Sequence, residues 1–210
     1  YIERDARHMA DINDWQQFGR FVQMVAALTA QEVNYSQFGK RIGISYQTAQ
    51  RWLALLIGSF QWFEVPAYTT NAIKRVCGRS KGYFADTGLA CNLNMIPSPI
   101  SLEGYPLIGA MFETAVVSEI KKLNNLLPTP ARLYHWRSNS GSEVDLILER
   151  DNNLYPIEIK LTANPGRNDT NGISSFRKNN PDRTIKPGLV ICSCQKMIKL
   201  SENDYSLPWN

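Results

Sequence analysis

A strand-turn-strand pattern over residues 143–161 constrains the fold of this chain more than any other feature. Apolar and polar side chains alternate over residues 143–149, as is typical of a β-strand with one buried face. Residues 154–161 alternate in the same way, and the Asp and Asn side chains of residues 150–153 suit a tight turn that tolerates positive φ. The pattern therefore predicts a β-hairpin.

The predicted hairpin brings two carboxylates together. A turn at its centre would place Asp145 opposite Glu158 and Glu143 opposite Lys160. Opposed Cβ atoms lie roughly 4.5 to 5.5 Å apart, so like charges there repel unless a positive charge lies between them. Mg²⁺ prefers such oxygen ligands, and Lys160 could orient a water or stabilise a phosphate. The alternative is a surface ion pair between Glu143 and Lys160 with solvated carboxylates, and spacing alone leaves both interpretations open.

Residues 35–53 predict a helix, a tight turn and a second helix. Ser36 and Ser45 suit the N-cap positions, and Gly43 suits the turn. The apolar side chains of the second helix share one face, formed by Ala49, Trp52, Leu53 and Leu56. The opposite face carries side chains that can contact bases or phosphates, namely Tyr46, Gln47, Gln50 and Arg51. This helix-turn-helix pattern also occurs in protein-contact and structural modules.

Basic residues are concentrated around this motif. Residues 60–65, a turn near residues 69–72 and a basic run ending at Tyr83 and Phe84 predict the β-ribbon of a winged helix. Residues 36–81 hold seven basic residues and one acidic residue, a net charge of +6 where the whole chain has +4. The basic residues are Lys40, Arg41, Arg51, Lys74, Arg75, Arg79 and Lys81. These basic residues, Ser45 and the outward face of the second helix are the predicted DNA contacts. The alternative is a solvated surface or a docking site for an acidic partner.

Length and composition predict two domains. A chain of 210 residues with 43% hydrophobic content can bury two cores. We expect a helical and winged helix-turn-helix domain over residues 1–91 and a second domain over residues 100–210, separated by a turn-rich segment. The second domain is predicted to contain a helix with an apolar stripe, three strands, a further helix and a last strand. The apolar stripe of the first helix comprises Ile108, Phe112, Val116, Ile120 and Leu123. The later elements are a strand at 132–137, the hairpin, a helix at 173–180 and a strand at 188–192.

Several classes of protein are disfavoured. The sequence shows no membrane segment, no signal peptide and no phosphate-binding loop of the Gly-x-x-x-x-Gly-Lys-Ser/Thr type, so we expect a cytoplasmic protein whose own residues bind no nucleotide in that way. Cys77, Cys91, Cys192 and Cys194 lack paired metal-binding spacing, which favours idle thiols over zinc ligands or disulfides.

Asp145 followed by Glu158-x-Lys160 on the next strand resembles the PD-(D/E)XK nuclease superfamily. Val144 stands where that motif usually has proline, and Glu113 resembles the acidic residue of the superfamily's first helix. The resemblance implies a restriction-endonuclease-like αβββαβ fold of mixed α+β and α/β class. It also implies that Asp145, Glu158 and Glu113 ligate or support Mg²⁺ or Mn²⁺, and that Lys160 activates water.

The order of motifs along the chain resembles the carboxy-terminal domain of unknown function of bacterial and archaeal AAA-type ATPases. The matching segments are residues 1–5, the helix-turn-helix, Asn71 with Lys74 and Arg75, 81–89, 112–113, 136–145, 158–160 and 205–209. Gly82 stands where that family usually has a bulkier residue. The resemblance implies an upstream ATPase domain as partner, with ATP bound there.

Three functions follow as hypotheses. The first is a metal-dependent nuclease that the winged helix delivers to DNA. The second is a catalytically inactive module that binds DNA or protein and regulates the ATPase. The third is an interaction scaffold, for which oligomerisation is possible.

Overall fold

The computed structural model describes residues 12, 14–70 and 78–209. The fold is mixed α and β, and contacts divide the chain into two compact units. The first unit comprises Tyr1–Glu64 and Lys81–Thr114, and the second comprises Val65–Ser80 and Ala115–Asn210. The predicted ranges, 1–91 and 100–210, differ from these units. Predicted features at residues 1–5, Asn71, Lys74 and Arg75 lie outside the described residues.

The segment after residue 64 joins the second unit through backbone hydrogen bonds. Tyr68 N donates to His135 O at 2.6 Å, and His135 N donates to Pro66 O at 3.0 Å. These bonds attach the segment to the strand that carries His135, which explains why the compact units do not follow chain order.

The first unit contains most of the helices. Its elements are α1 (Trp15–Ala27), β1 (Gln31–Glu32), α2 (Tyr35–Ile42), α3 (Tyr46–Gly58), β2 (Trp62–Val65), β3 (Lys81–Phe84), α4 (Thr87–Leu93), α5 (Pro99–Glu103) and the first part of α6 (Ile108–Asn125). The three strands form a sheet in the order β1-β3-β2.

Side-chain caps define where these helices begin. Ser45 caps α3 as predicted, and Gly43 ends α2 with a φ of 77°, a left-handed conformation that favours glycine. The predicted cap of α2 at Ser36 is wrong. Asn34 caps that helix instead, because its backbone is extended and its side-chain oxygen accepts the backbone N–H three residues later at 3.0 Å.

The core of the first unit forms where α1 meets α3. The predicted inward side chains of α3, namely Ala49, Trp52, Leu53 and Leu56, are buried. The Trp52 ring meets Phe18 and Phe21 of α1 edge-on, with centroids 5.4 Å and 5.5 Å apart. On β3, a Cβ at Gly82 would overlap the indole of Trp62. The neighbouring tryptophan therefore occupies the space that a bulkier residue would need.

The second unit is built on a mixed sheet. Its elements are the rest of α6, β4 (Arg132–Arg137), β5 (Glu143–Arg150), β6 (Asn153–Lys160), a short 3₁₀ helix (Arg167–Thr170), α7 (Asn171–Asn179), β7 (Thr184–Ile185), β8 (Gly188–Cys192) and β9 (Asp204–Pro208). The main strand order is β4-β5-β6-β8-β9, with β7 beside β6. Strands β4, β5 and β6 are antiparallel, and β8 runs parallel to both β6 and β9.

The predicted hairpin is confirmed in its register. Leu146 pairs with Ile157, and Arg150 pairs with Asn153 at the turn. Asp151 and Asn152 have φ values of 50° and 62°. Two consecutive left-handed residues are typical of the tight turn that matches strand twist, and Asp and Asn tolerate that conformation.

The prediction that β5 is buried on one face is wrong. Val144, Leu146 and Ile147 are all buried. The register with β4 shifts between the pairs Tyr134–Ile147 and Trp136–Val144, so β5 carries an extra residue there. Such a bulge re-aims side chains, and it places Val144 and Ile147 in one apolar cluster.

The apolar stripe predicted for α6 is also shifted. Leu123 is 55% exposed, whereas the polar Asn124 is buried. The Asn124 amide exchanges two hydrogen bonds of 2.8 Å with the backbone of Ala131. These bonds satisfy a buried polar side chain, so polarity alone misleads about which face of the helix is inward.

Candidate active site

Two carboxyl groups lie side by side at the open end of the hairpin. Asp145 on β5 and Glu158 on β6 are 3% and 2% exposed. The negative charge of Asp145 acts directly on Glu158. The hairpin therefore brings together the pair that the sequence predicted.

The Asp145 side chain takes the place of a backbone hydrogen-bond acceptor between β5 and β6. The regular β5–β6 ladder ends at Leu146 and Ile157. Beyond that point, the Asp145 Oδ2 atom accepts a hydrogen bond of 3.0 Å from the backbone N–H of Ile159. The bond satisfies a buried donor and fixes the direction of the carboxylate.

Lys160 supplies the positive charge. Its Nζ atom lies 3.0 Å from Glu158 Oε2 and 3.6 Å from Asp145 Oδ2, and its side chain is 38% exposed. Lys160 thus pairs with both buried carboxyl groups while still reaching solvent. Glu143, which was predicted to face Lys160, pairs with Arg137 of β4 in the backbone register.

Glu158 has an unusual protonation equilibrium. Burial, followed by the neighbouring charge of Asp145, raises the pKa of Glu158 from 4.5 to about 9, although Lys160 acts to lower it. At neutral pH Glu158 therefore carries a proton. Glu158 Oε2 is buried, and its neighbour of opposite charge is the Lys160 ammonium, 3.0 Å away.

The first turn of α7 lies against this pair. A Cβ built at Gly172 would overlap Glu158 Oε1 and the backbone oxygen of Glu143. Glycine is thus required for the helix to approach the carboxyl group this closely. The sequence interpretation missed Gly172, because the predicted helix began one residue later, at 173, whereas α7 begins at Asn171.

Glu113 belongs to the first unit. Its Oε1 atom accepts hydrogen bonds of 2.8 Å from Lys81 Nζ and from the Tyr83 hydroxyl. The side chains of Lys81 and Glu113 are 10% and 13% exposed. Lys81, a predicted DNA contact, is therefore held in a largely buried ion pair, and the metal-supporting role of Glu113 stays a prediction. Within residues 14–70 and 78–209, no group of three or more His, Cys, Asp or Glu side chains is arranged to hold a metal.

The predicted DNA-contacting face lies on α2 and α3. All of its members in these helices, and the cap before α3, are exposed to solvent: Lys40, Arg41, Ser45, Tyr46, Gln47, Gln50 and Arg51. Ser45 Oγ accepts the Thr48 N–H at 3.0 Å, so its first role is to start the helix. Arg79 is also exposed and belongs to the second unit.

Comparisons with known proteins match the two halves separately. Residues 108–210 match the model of a domain of unknown function, DUF4143, and residues 1–99 match that of another, DUF8612. Uncharacterized proteins of Mycobacterium bovis and Mycobacterium tuberculosis are each 29% identical over 165 residues. The match covers 79% of this chain and 36% of each relative, so the chain spans about a third of their length.

No solved structure matches the chain. Among the described helices, none combines the length and the apolar character needed to cross a membrane.

Proposed function

We propose that this chain is a DNA-binding, nuclease-like module that hydrolyses phosphodiester bonds with a divalent metal ion. In this proposal the first unit is a winged helix-turn-helix and the second a PD-(D/E)XK-type αβββαβ domain. The order α1-β1-α2-α3-β2-β3 supports the first assignment. The antiparallel β4-β5-β6 meander, followed by α7 and a β8 parallel to β6, supports the second.

The observation that carries the proposal is the buried pair of Asp145 and Glu158 beside Lys160. Burying two adjacent carboxyl groups is unfavourable unless they are paired or neutralised. A strongly perturbed pKa with identifiable charged neighbours is characteristic of functional sites.

These residues fit a hard divalent cation. Asp145 and Glu158 would hold Mg²⁺ or Mn²⁺, since such ions often take one or two carboxylates and complete their shell with water and substrate phosphate. The ion would supply Lewis-acid stabilisation of charge on the phosphate. Lys160, which reaches solvent, donates hydrogen bonds to a water or to a phosphate oxygen there. The Asp145 bond to Ile159 keeps that carboxylate in a fixed direction.

The exposed face of α2 and α3 would bring DNA to this site. Lys40, Arg41 and Arg51 supply charge for phosphates, and the polar side chains of Tyr46, Gln47 and Gln50 can contact base edges. A helix of this type places its outward residues in the major groove when it acts as a recognition helix.

A catalytically inactive regulatory module is the second candidate. Lys160 already pairs with both carboxyl groups, and the raised pKa of Glu158 keeps it protonated at neutral pH. The site is therefore charge-balanced with no cation bound. In either case we propose a AAA-type ATPase domain as the partner, because the order of motifs along the chain resembles the carboxy-terminal domain of such ATPases.

A cleavage assay with matched variants tests the proposal. Plasmid and single-stranded DNA are incubated with Mg²⁺ or Mn²⁺ and the wild-type chain, Asp145→Asn or Lys160→Ala. Asp182→Asn and Lys178→Ala are the controls, because both side chains belong to exposed residues of the same unit. We expect cleavage by the wild type and the controls and its loss in the site variants. If the wild type neither cleaves DNA nor binds metal by calorimetry, the inactive module is the correct candidate.

A further inference from the structure

A cavity of about 720 Å³ lies within the second unit and is lined by none of the candidate catalytic residues. Its walls come from the segment around Tyr68, the end of β4 with the following turn, and the end of α7. The volume lies within the range of about 300–1,000 Å³ that is usual for small-ligand sites.

One wall of the cavity is aromatic and rigid. Tyr68 and Trp136 line it and are 4% and 7% exposed. Both rings meet Phe176 of α7 edge-on, with centroids 5.4 Å and 5.3 Å apart. Packing holds these rings in place, so the small part of each ring that reaches the cavity forms a fixed apolar wall.

Among the described residues, the remaining walls carry amide groups, hydroxyl groups and the guanidinium of Arg137. The Nδ2 atoms of Asn179 and Asn180 donate to carbonyl oxygens of α7, each at 2.9 Å. Each of these amides keeps its Oδ1 acceptor and a second N–H donor, and the exposed amide of Asn139 also provides a donor and an acceptor. Arg137 adds a charge suited to a phosphate. A flat heterocycle with amino groups and a nearby phosphate satisfies this combination.

We propose that the cavity binds one unpaired base of a nucleic-acid strand, beside the phosphate that Asp145 and Glu158 receive. The inference rests on the proposed nuclease function and adds a single-stranded substrate class to it. Position supports it: Arg137 pairs with Glu143 in the β4–β5 register, two residues before Asp145. Ser138 N donates to Ser142 O at 2.8 Å, so the turn at the cavity wall leads directly into the strand with the candidate catalytic carboxylate.

Binding measurements test this without requiring cleavage. Fluorescence anisotropy in EDTA would compare a labelled twelve-nucleotide single strand, an abasic strand of the same length and a blunt duplex. The site variants are Asn139→Ala and Arg137→Gln, both exposed positions. Their matched controls are Asn203→Ala and Arg132→Gln, exposed residues of the same unit outside the cavity.

We expect each site variant to weaken single-strand binding by about tenfold, with less than about a twofold change for the duplex. Asn139→Ala should lose nothing on the abasic strand, and the controls should bind as the wild type does. Equal single-strand affinity in all variants would refute the base site while leaving the nuclease proposal intact. Failure of the wild type to bind any nucleic acid would refute both. The wild type could instead bind adenosine monophosphate tightly. If the site variants lose that binding but keep their affinity for the single strand, the cavity is a free-nucleotide site and this proposal is wrong.

Discussion

The carboxylate of Asp145 accepts a hydrogen bond from the backbone N–H of Ile159, with 3.0 Å between Oδ2 and the nitrogen. The same Oδ2 atom lies 3.6 Å from the ammonium of Lys160. One side chain thus joins the two strands of the hairpin and takes part in the candidate site. Its structural and chemical roles can be separated by choosing the substitution.

Asp145→Asn should abolish metal-dependent cleavage while largely preserving the fold. Asparagine retains an oxygen that can accept the Ile159 N–H but removes the negative charge. Asp145→Ala leaves that buried donor without its acceptor and should lower the free energy of unfolding by a further 1–3 kcal/mol or so. Urea denaturation of the two variants measures the difference. Equal stability of the two would show that the Ile159 bond is unimportant.

Stability in the presence of a chelator should fall as pH rises, through Glu158. Its pKa of about 9 in the folded protein exceeds its ordinary value of 4.5, so between these values the folded state binds a proton that the unfolded state has lost. The expected slope is at most about 1.4 kcal/mol per pH unit, the value for one bound proton. Glu158→Gln mimics the protonated form and should gain on the wild type from pH 5 to 8. Parallel stability curves for the two proteins would contradict the raised pKa.

Gly172→Ala should destabilise the second unit by about 1–3 kcal/mol, because its Cβ would overlap Glu158 Oε1 and the Glu143 backbone. Gly166→Ala is the matched control, since a Cβ there meets nothing within 4 Å. Thermal denaturation compares the two variants. A control that loses as much stability as Gly172→Ala would point to backbone effects instead of the close approach.

Arg51 and Lys81 should differ in their effects on DNA binding. Arg51 is exposed on α3, so Arg51→Gln should weaken binding and reduce the slope of log affinity against log salt by about 1. Lys81→Met should leave the slope unchanged and lower stability by about 3 kcal/mol, since it leaves the largely buried Glu113 carboxylate without its cation. Salt titrations and denaturation of both variants provide the measurements. A reduced salt slope for Lys81→Met would place Lys81 at the DNA after all.

Arg177→Met should strongly destabilise the second unit. Burial acts to raise the pKa of Asp204, but hydrogen bonds from Arg177 and Ser201 outweigh it and lower that pKa. Removing the guanidinium, which lies 2.7 Å from Asp204 Oδ1, leaves a buried charge and should cost about 3–5 kcal/mol. The exposed neighbour Lys178→Met should have little effect in the same urea titration. An equal loss in both variants would mean that Arg177 contributes through general packing.

Local patterns were sufficient for the hairpin and for much of the helix, turn and second helix that begin at Tyr35. The register of β5 and β6 follows from alternation and from an Asp-Asn turn, both of which act over a few residues. The Ser45 cap and the Gly43 turn are equally local. The juxtaposition of Asp145, Glu158 and Lys160 was predictable for the same reason.

Long-range contacts decided the features that the patterns missed. The bulge in β5 depends on pairing with β4. Strand β5 is buried on both faces, which the alternation of its own apolar and polar side chains does not explain. Asn124 faces inward because Ala131 bonds to it, and Lys81 is buried because Glu113 pairs with it.

The sequence by itself determined the strand pairing and the chemical types at the candidate site, because turn geometry and side-chain period are properties of neighbouring residues. Only the tertiary structure decided their environment. Burial beside Asp145 raises the pKa of Glu158. Position 172 requires glycine because a Cβ there would overlap Glu158 Oε1. Desolvation and close packing depend on segments far apart in the chain, so no local pattern encodes them.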